Sequence, residues 1–194
     1  MHETTAPVIT RFEFSTDPDL KARARIGLLV LASDQTLERE LQQLTDAVEV
    51  DLYHARLTNE TVVNAKNLAK MEEELPLAAG LLPEYLGLNA IGYACTSGAT
   101  IIGEDRVKAI LKESHPDIPS SNPLTAAKAA LKALGVERLG LLTPYTPEVT
   151  EAMQQRFGEA GIAITVVGSF YEENDILVGQ IDPKSILKAA VALG

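Results

Sequence analysis

Arg25-Ile26-Gly27-Leu28-Leu29-Val30-Leu31-Ala32, closed by Ser33-Asp34, is the stretch that decides the fold. An unbroken apolar run of this length reads as a strand buried on both faces, the kind a parallel sheet requires. Asp34 or Ser33 can cap a helix beginning near Thr36, whose apolar positions Leu37, Leu41, Leu44 and Val48 recur at helical spacing. The first unit is therefore strand, turn, helix. Residues 50–55 read as a second strand, and residues 60–82 as a longer helical stretch carrying Val63, Leu68, Met71 and Leu75, with Pro76 expected to kink or split it. Residues 88–94 form a third strand that runs directly into Cys95-Thr96-Ser97-Gly98, and Val107, Ile110 and Leu111 mark the helix after it.

Ile118-Pro119 with Asn122-Pro123 has the look of a crossover or hinge, followed by an amphipathic helix on Leu124, Ala127, Leu131 and Leu134 that Gly135 stops. The opening pattern then returns. Arg138-Leu139-Gly140-Leu141-Leu142-Thr143 matches Arg25-Ile26-Gly27-Leu28-Leu29-Val30 and leads through Pro144-Tyr145-Thr146-Pro147 to a helix over 149–158 and a strand over 162–167. Strand and helix alternate throughout, which predicts an α/β fold with parallel sheets. The internal echo suggests two such lobes, although buried parallel strands resemble one another in any protein. We expect an N-terminal extension over 1–24, a first lobe over 25–120 and a second over 121–194.

The 194 residues are enough for a substantial core, and 46% hydrophobic with 23% charged residues excludes a disordered or fibrous chain. Seventeen basic against 27 acidic residues leave a formal net charge of −10, which argues against nucleic-acid and anionic-membrane partners. One cysteine cannot form an internal disulfide. No apolar run reaches the roughly 20 residues of a membrane span, and the opening residues lack a signal-peptide pattern. A cytoplasmic protein with a reduced thiol is expected.

Ligands in open α/β sheets sit beyond the carboxyl ends of the strands, which makes Ser33, Asp34, Cys95, Thr96, Ser97, Gly98 and Tyr145 candidate site residues by position. A helix starting after Cys95 would lower its thiol pKa, Thr96 and Ser97 add hydroxyl donors, and Gly98 lets backbone approach a ligand. A lone cysteine is usually a small buried hydrophobe, and a tyrosine between two prolines is more often a packing element than a catalyst. Asp34 could cap a helix, bind a substrate ammonium, or do both. His54 and His115 have no partner visible in the sequence and are left as structural or surface residues. There is no metal-ligand spacing, Walker loop or Gly-x-Gly-x-x-Gly fingerprint, so no cofactor is indicated.

Taken together, Ile26-Gly27-Leu28-Leu29-Val30 leading to Ser33-Asp34-Gln35-Thr36, Ala94-Cys95-Thr96-Ser97-Gly98, Leu141-Leu142-Thr143-Pro144-Tyr145 and a late Asn174 beside Asp175 resemble the aspartate/glutamate racemase superfamily. The resemblance is to the branch of maleate cis-trans isomerases and arylmalonate decarboxylases, and covers almost the whole chain. Residues 31–39 look most like the EutA-type ectoine-utilisation proteins. It implies two Rossmann-like lobes related by a pseudo-dyad in three α/β/α layers, a site between them, no metal or organic cofactor, a homo-oligomer, and one cysteine from each lobe. Cys95 would be the first-lobe thiol, as nucleophile or as one of two acid/base groups. Thr96, Ser97 and Tyr145 would grip a substrate carboxylate, with Ser33, Asp34 and Gly98 alongside and Asn174 on the other side.

The chain departs from that family in two places. Maleate isomerases carry an asparagine where this chain has Asp34; a carboxylate there repels a dicarboxylate and favours a substrate with an amino group. The second cysteine of the family lies after a further strand, and the present sequence ends at Gly194 within the helix expected over 183–193, so the second lobe is expected to be cut short. The leading expectation is a cofactor-independent, cysteine-dependent isomerase or racemase acting on a small carboxylic or amino acid, with ectoine breakdown as a setting. Its rivals are a maleate isomerase, an arylmalonate decarboxylase-like enzyme, against which the presence of Cys95 counts, and a non-catalytic carboxylate-binding member of the fold.

Overall fold

The computed structural model describes residues 9–17, 24–46 and 49–194. Residues 9–17 are irregular and exposed; Val48, expected on the first helix, lies outside the described residues, as do Pro7 and Pro18. The opening run forms β1, Ala24–Leu31, whose last five residues are buried. It leads through a turn to α1, Leu37–Thr45, and on to β2, Val50–Leu57. The long helix α2, Ala65–Gly80, starts at Asn64, whose side chain accepts from the Asn67 amide at 2.9 Å. Pro76 lies within α2 and does not split it, which leaves a kink as the remaining form of the expectation. Leu68, Met71 and Leu75 are buried on one side of the helix and anchor it to the core.

β3, Ala90–Tyr93, is the third strand, and α3, Thr96–Ile102, comes directly after Cys95. The sequence suggested one helix here. The structure has two, because Gly103 at φ 96° adopts a conformation that side chains disfavour and so separates α3 from α4, Glu104–Ser114. A two-residue strand, β4, Ser120–Ser121, replaces the simple crossover expected before α5, Pro123–Ala133. The four strands are parallel in the order β2-β1-β3-β4, with Leu29 of β1 level with Ala55 of β2 and with Tyr93 of β3.

The echo of the opening run is β5, Arg138–Thr143. It is succeeded by α6, Pro147–Glu159, and pairs in parallel with β6, Ala163–Ser169, in a second sheet. Two further helices come after it, α7, Asp175–Val178, and α8, Pro183–Leu193. The chain is thus an α/β protein with two parallel sheets, as the alternation of elements predicts.

A continuous core joins the two sheets: Leu29, Ile91, Tyr93 and Leu75 on one side meet Leu124, Val149, Met153 and Phe157 on the other. At the seam α3 packs on α5 and α6. Arg156 Nε of α6 donates to the Thr100 carbonyl at 3.1 Å. The Glu104 carboxylate accepts from Thr125 Oγ1 at 2.7 Å and pairs with Lys128 Nζ. His115 is a structural residue: buried, with Nε2 3.0 Å from the Ala79 carbonyl, it ties α4 to α2, while His54 is exposed.

Candidate active site

In the order β2-β1-β3-β4 the chain leaves β1 to one side to form β2 and returns on the other side to form β3. The crevice between β1 and β3 is therefore a switch point, where the loops after two adjacent strands diverge and leave room for a ligand. The loop after β1 holds Ser33 and Asp34, and the loop after β3 holds Cys95.

Each loop is fixed from below. The Ala94 amide donates to Leu29 O at 2.9 Å, and Ala32 N to Leu57 O at 2.9 Å, extending the ladders past the strand ends. Asp34 Oδ1 accepts from the Thr36 and Leu37 amides, both at 2.9 Å, and so performs the helix-capping role anticipated for it. Arg56 Nη1 donates to the carbonyls of Leu31 at 2.9 Å and Asp34 at 3.0 Å, stapling the turn from behind.

A third wall comes from far along the chain. Val63 N donates to Glu173 O at 2.7 Å and Asp175 N to Thr61 O at 2.8 Å, which straps the segment after β6 to the loop before α2. This places Asp175 over the β1 end, where its Oδ2 accepts a hydrogen bond from Ser33 Oγ. Asn59 Nδ2 donates to the same hydroxyl at 2.8 Å. Tyr145 enters from the loop after β5, its ring packed against the core.

The result is a cavity of about 200 Å³ lined by Ser33, Asp34, Cys95, Thr96, Ser97, Tyr145 and Asp175, with Leu31 and Val178 among its apolar wall. It suits a small acid; sites for larger ligands run from about 300 Å³ upward. No lysine, arginine or histidine among the described residues lines it. Six of the eight residues picked from the sequence meet here.

Two of the eight do not line it. Gly98 is buried behind Cys95: a Cβ on it would run into the Tyr93 hydroxyl and lie 3.0 Å from Cys95 Sγ, so its smallness makes room for the protein's own side chains and not for a ligand. Asn174 is exposed and spends its side chain capping α7, accepting from the Ile176 amide at 3.0 Å. Its neighbour Asp175, the first residue of that helix, is turned toward the cavity instead. The acidic, turn-rich run Glu172-Glu173-Asn174-Asp175 was the available signal for it.

Cys95 is the residue before α3, and its sulfur accepts from the Gly98 amide at 3.2 Å with Ser97 Oγ at 3.6 Å. The expectation of a lowered thiol pKa is overturned. Burial, with 4% of the residue exposed, pushes the thiol up, the nearby Asp175 carboxylate adds to this, and the Ser97 hydroxyl and Gly98 amide at the sulfur offset only part of it. The Tyr145 phenol is likewise pushed up, by burial first and then by Cys95 and Asp175, so it stands in the cavity as a neutral donor.

No family model matches the sequence. Among curated proteins the chain is similar to the maleate isomerase of Alcaligenes faecalis, 23% identical over 177 residues, which span 84% of this chain and 70% of that protein. Among solved structures it is similar to the maleate isomerase Iso from Pseudomonas putida S16 with maleate, at TM-score 0.79 and 21% identity over 88% of this chain and 73% of that one. The maleate cis-trans isomerase of Nocardia farcinica, solved with a covalently bound succinylcysteine intermediate, matches at TM-score 0.73 and 24% identity with the same coverage. Arylmalonate decarboxylase matches at TM-score 0.65 and 19% identity, over 87% of this chain and 70% of its own. These proteins share the fold of the present chain, and those named are isomerases or decarboxylases.

Proposed function

We propose that the chain is a cofactor-independent isomerase or racemase in which Cys95 is the reacting thiol and the substrate is a small acid bearing an amino group. The observation that carries this reading is the composition of the cavity: one thiol, a set of neutral hydroxyl donors, and two carboxylates, with no lining cation among the described residues. Thr96, Ser97 and Tyr145 supply donors for a substrate carboxylate. Asp34 and Asp175 line the same cavity, where a second anion would be repelled and an ammonium held. A dianion such as maleate fits this charge pattern poorly, and the likeness of residues 31–39 to the ectoine-utilisation proteins agrees with an amino-bearing substrate.

Two courses are open to the Cys95 thiolate. It can add to a carbon–carbon double bond, with the π electrons moving to the carbon beside the carboxylate; rotation about the resulting single bond and expulsion of the same thiolate restore the alkene in the other geometry. Alternatively it removes the proton from an α-carbon, and delivery of a proton to the opposite face inverts the centre. The addition uses one thiol, which the sequence contains; exchange between two thiols needs a group beyond the single cysteine of these 194 residues.

The test is a panel of maleate and free amino acids, monitored by NMR for alkene isomerisation and for deuterium uptake at the α-carbon in D₂O. Turnover confined to amino-bearing acids, and lost by at least about a thousandfold in Cys95→Ser with the fold retained, is the expected result. Efficient conversion of maleate would overturn the substrate assignment, and an active Cys95→Ser variant would remove the thiol from the mechanism.

A further inference from the structure

Tyr93 ends β3 and is fully buried, yet its hydroxyl completes no hydrogen bond of ordinary geometry. A buried hydroxyl left unpaired is costly, and one that persists calls for a reason in its surroundings. The neighbouring sulfur supplies one. A Cβ at Gly98 would collide with the Tyr93 hydroxyl while lying 3.0 Å from Cys95 Sγ, so oxygen and sulfur flank the same small gap, which only a glycine leaves open. A neutral thiol is a weak acceptor; a thiolate is a strong one. Burial keeps the phenol protonated far above neutral pH, so it can only donate to the sulfur and cannot share its negative charge.

We propose that Tyr93 is a positioning residue for the Cys95 thiolate, its hydroxyl donating to Sγ once the thiol has released its proton. With the Gly98 amide and the Ser97 hydroxyl it makes a cradle of three donors around the charge. The remaining groups near Sγ are the Tyr145 phenol and the Asp175 carboxylate, with Asp34 lining the same cavity; the Asp175 carboxylate opposes the thiolate, which leaves its stabilisation to the donors. The assignment rests on Cys95 being the reacting thiol, but concerns a residue outside the cavity wall that never meets substrate.

The experiment is the pH dependence of Cys95 alkylation by iodoacetamide, in which the thiolate sulfur forms a bond to the methylene carbon and iodide leaves. Mass spectrometry of the intact chain reads the single adduct. In Tyr93→Phe the hydroxyl alone is removed, so the alkylation midpoint is expected to move up by about one pH unit, or the rate at a fixed pH below the midpoint to fall about tenfold. Thermal stability is expected to hold or rise, since an unpaired buried hydroxyl has been deleted. An unchanged midpoint in folded Tyr93→Phe overturns the proposal, as does a variant that loses stability without shifting the midpoint. Because the readout is alkylation, it stands apart from the functional assignment: an active Cys95→Ser enzyme would sink that assignment and leave the Tyr93 result to be judged on its own.

Discussion

β1 and β5 are close to the same sentence written twice, and their surroundings differ. In β1, Leu29 is wholly buried because β2 and β3 flank the strand and α2 lies close by. The matching Leu142 of β5 is only partly buried, since among the described residues β5 has a neighbouring strand on one side, β6, which is itself largely exposed. The loops beyond the two strands differ as well. β1 runs into a turn that caps a helix and lines the cavity with Ser33 and Asp34; β5 contributes Tyr145 and a buried hydroxyl pair, Thr143 Oγ1 with Thr150 Oγ1 at 2.7 Å. An apolar run identifies a strand, while the number of neighbours sets how much that strand contributes to stability.

Matched substitutions test this directly. Leu29→Ala should destabilise by about 2–5 kcal/mol in a urea titration, through lost burial and the cavity it leaves, whereas Leu142→Ala should cost clearly less because its site is already partly wet. Equal costs would break the comparison.

The paired glycines give a smaller contrast. A Cβ at Gly27 would sit 2.7 Å from Leu88 Cδ1 and 2.8 Å from Leu82 Cδ1, both in the core, so Gly27→Ala should cost about 1–3 kcal/mol. At Gly140 the nearest atom is Val166 Cγ2 at 3.0 Å, on a side chain with solvent to move into, and Gly140→Ala should be close to neutral by thermal melting. A large loss at Gly140 would show that the second sheet is more rigidly packed than its exposure indicates.

The smallest effect belongs to the seam between the two. Burial alone would raise the Glu104 carboxyl, but hydrogen bonds from Lys128 and Thr125 and the charges of Lys128 and Arg156 bring it below the ordinary carboxylate range. A carboxyl held low in the folded state adds stability above its unfolded pKa and loses it as the pH falls through the folded value. Glu104→Gln should therefore lower stability by less than about 1 kcal/mol at neutral pH, with the difference closing in acid. A deficit that persists at low pH would mean that packing, and not charge, holds α4 to α5.

Much of the fold was legible in the residues themselves. Apolar runs of strand length, the cap at Asp34 and the stop at Gly135 are local signals, each acting within a few residues. The two-residue β4 was not, since Ser120-Ser121 has no strand character of its own and pairs only because β3 lies beside it. Nor was the intact α2, where Leu68, Met71 and Leu75 pack well enough to carry the helix past Pro76. At the site, position after a strand found Ser33, Asp34, Cys95 and Tyr145. It misplaced Gly98, and the family resemblance pointed to Asn174 where its neighbour Asp175 lines the cavity, because which of two adjacent residues faces a cavity depends on how a distant segment is strapped down.

The alternation of strand and helix, the parallel pairing it requires, and a thiol with hydroxyl neighbours at a strand end are all written in the order of the residues. The charge of the site and the state of the thiol are not, and came from folding in three dimensions. Asp175 reaches Ser33 across 142 residues through a strap of backbone hydrogen bonds. Burial of Cys95 outweighs the donors around it, and that balance depends on everything packed over the sulfur, which no local stretch of sequence contains.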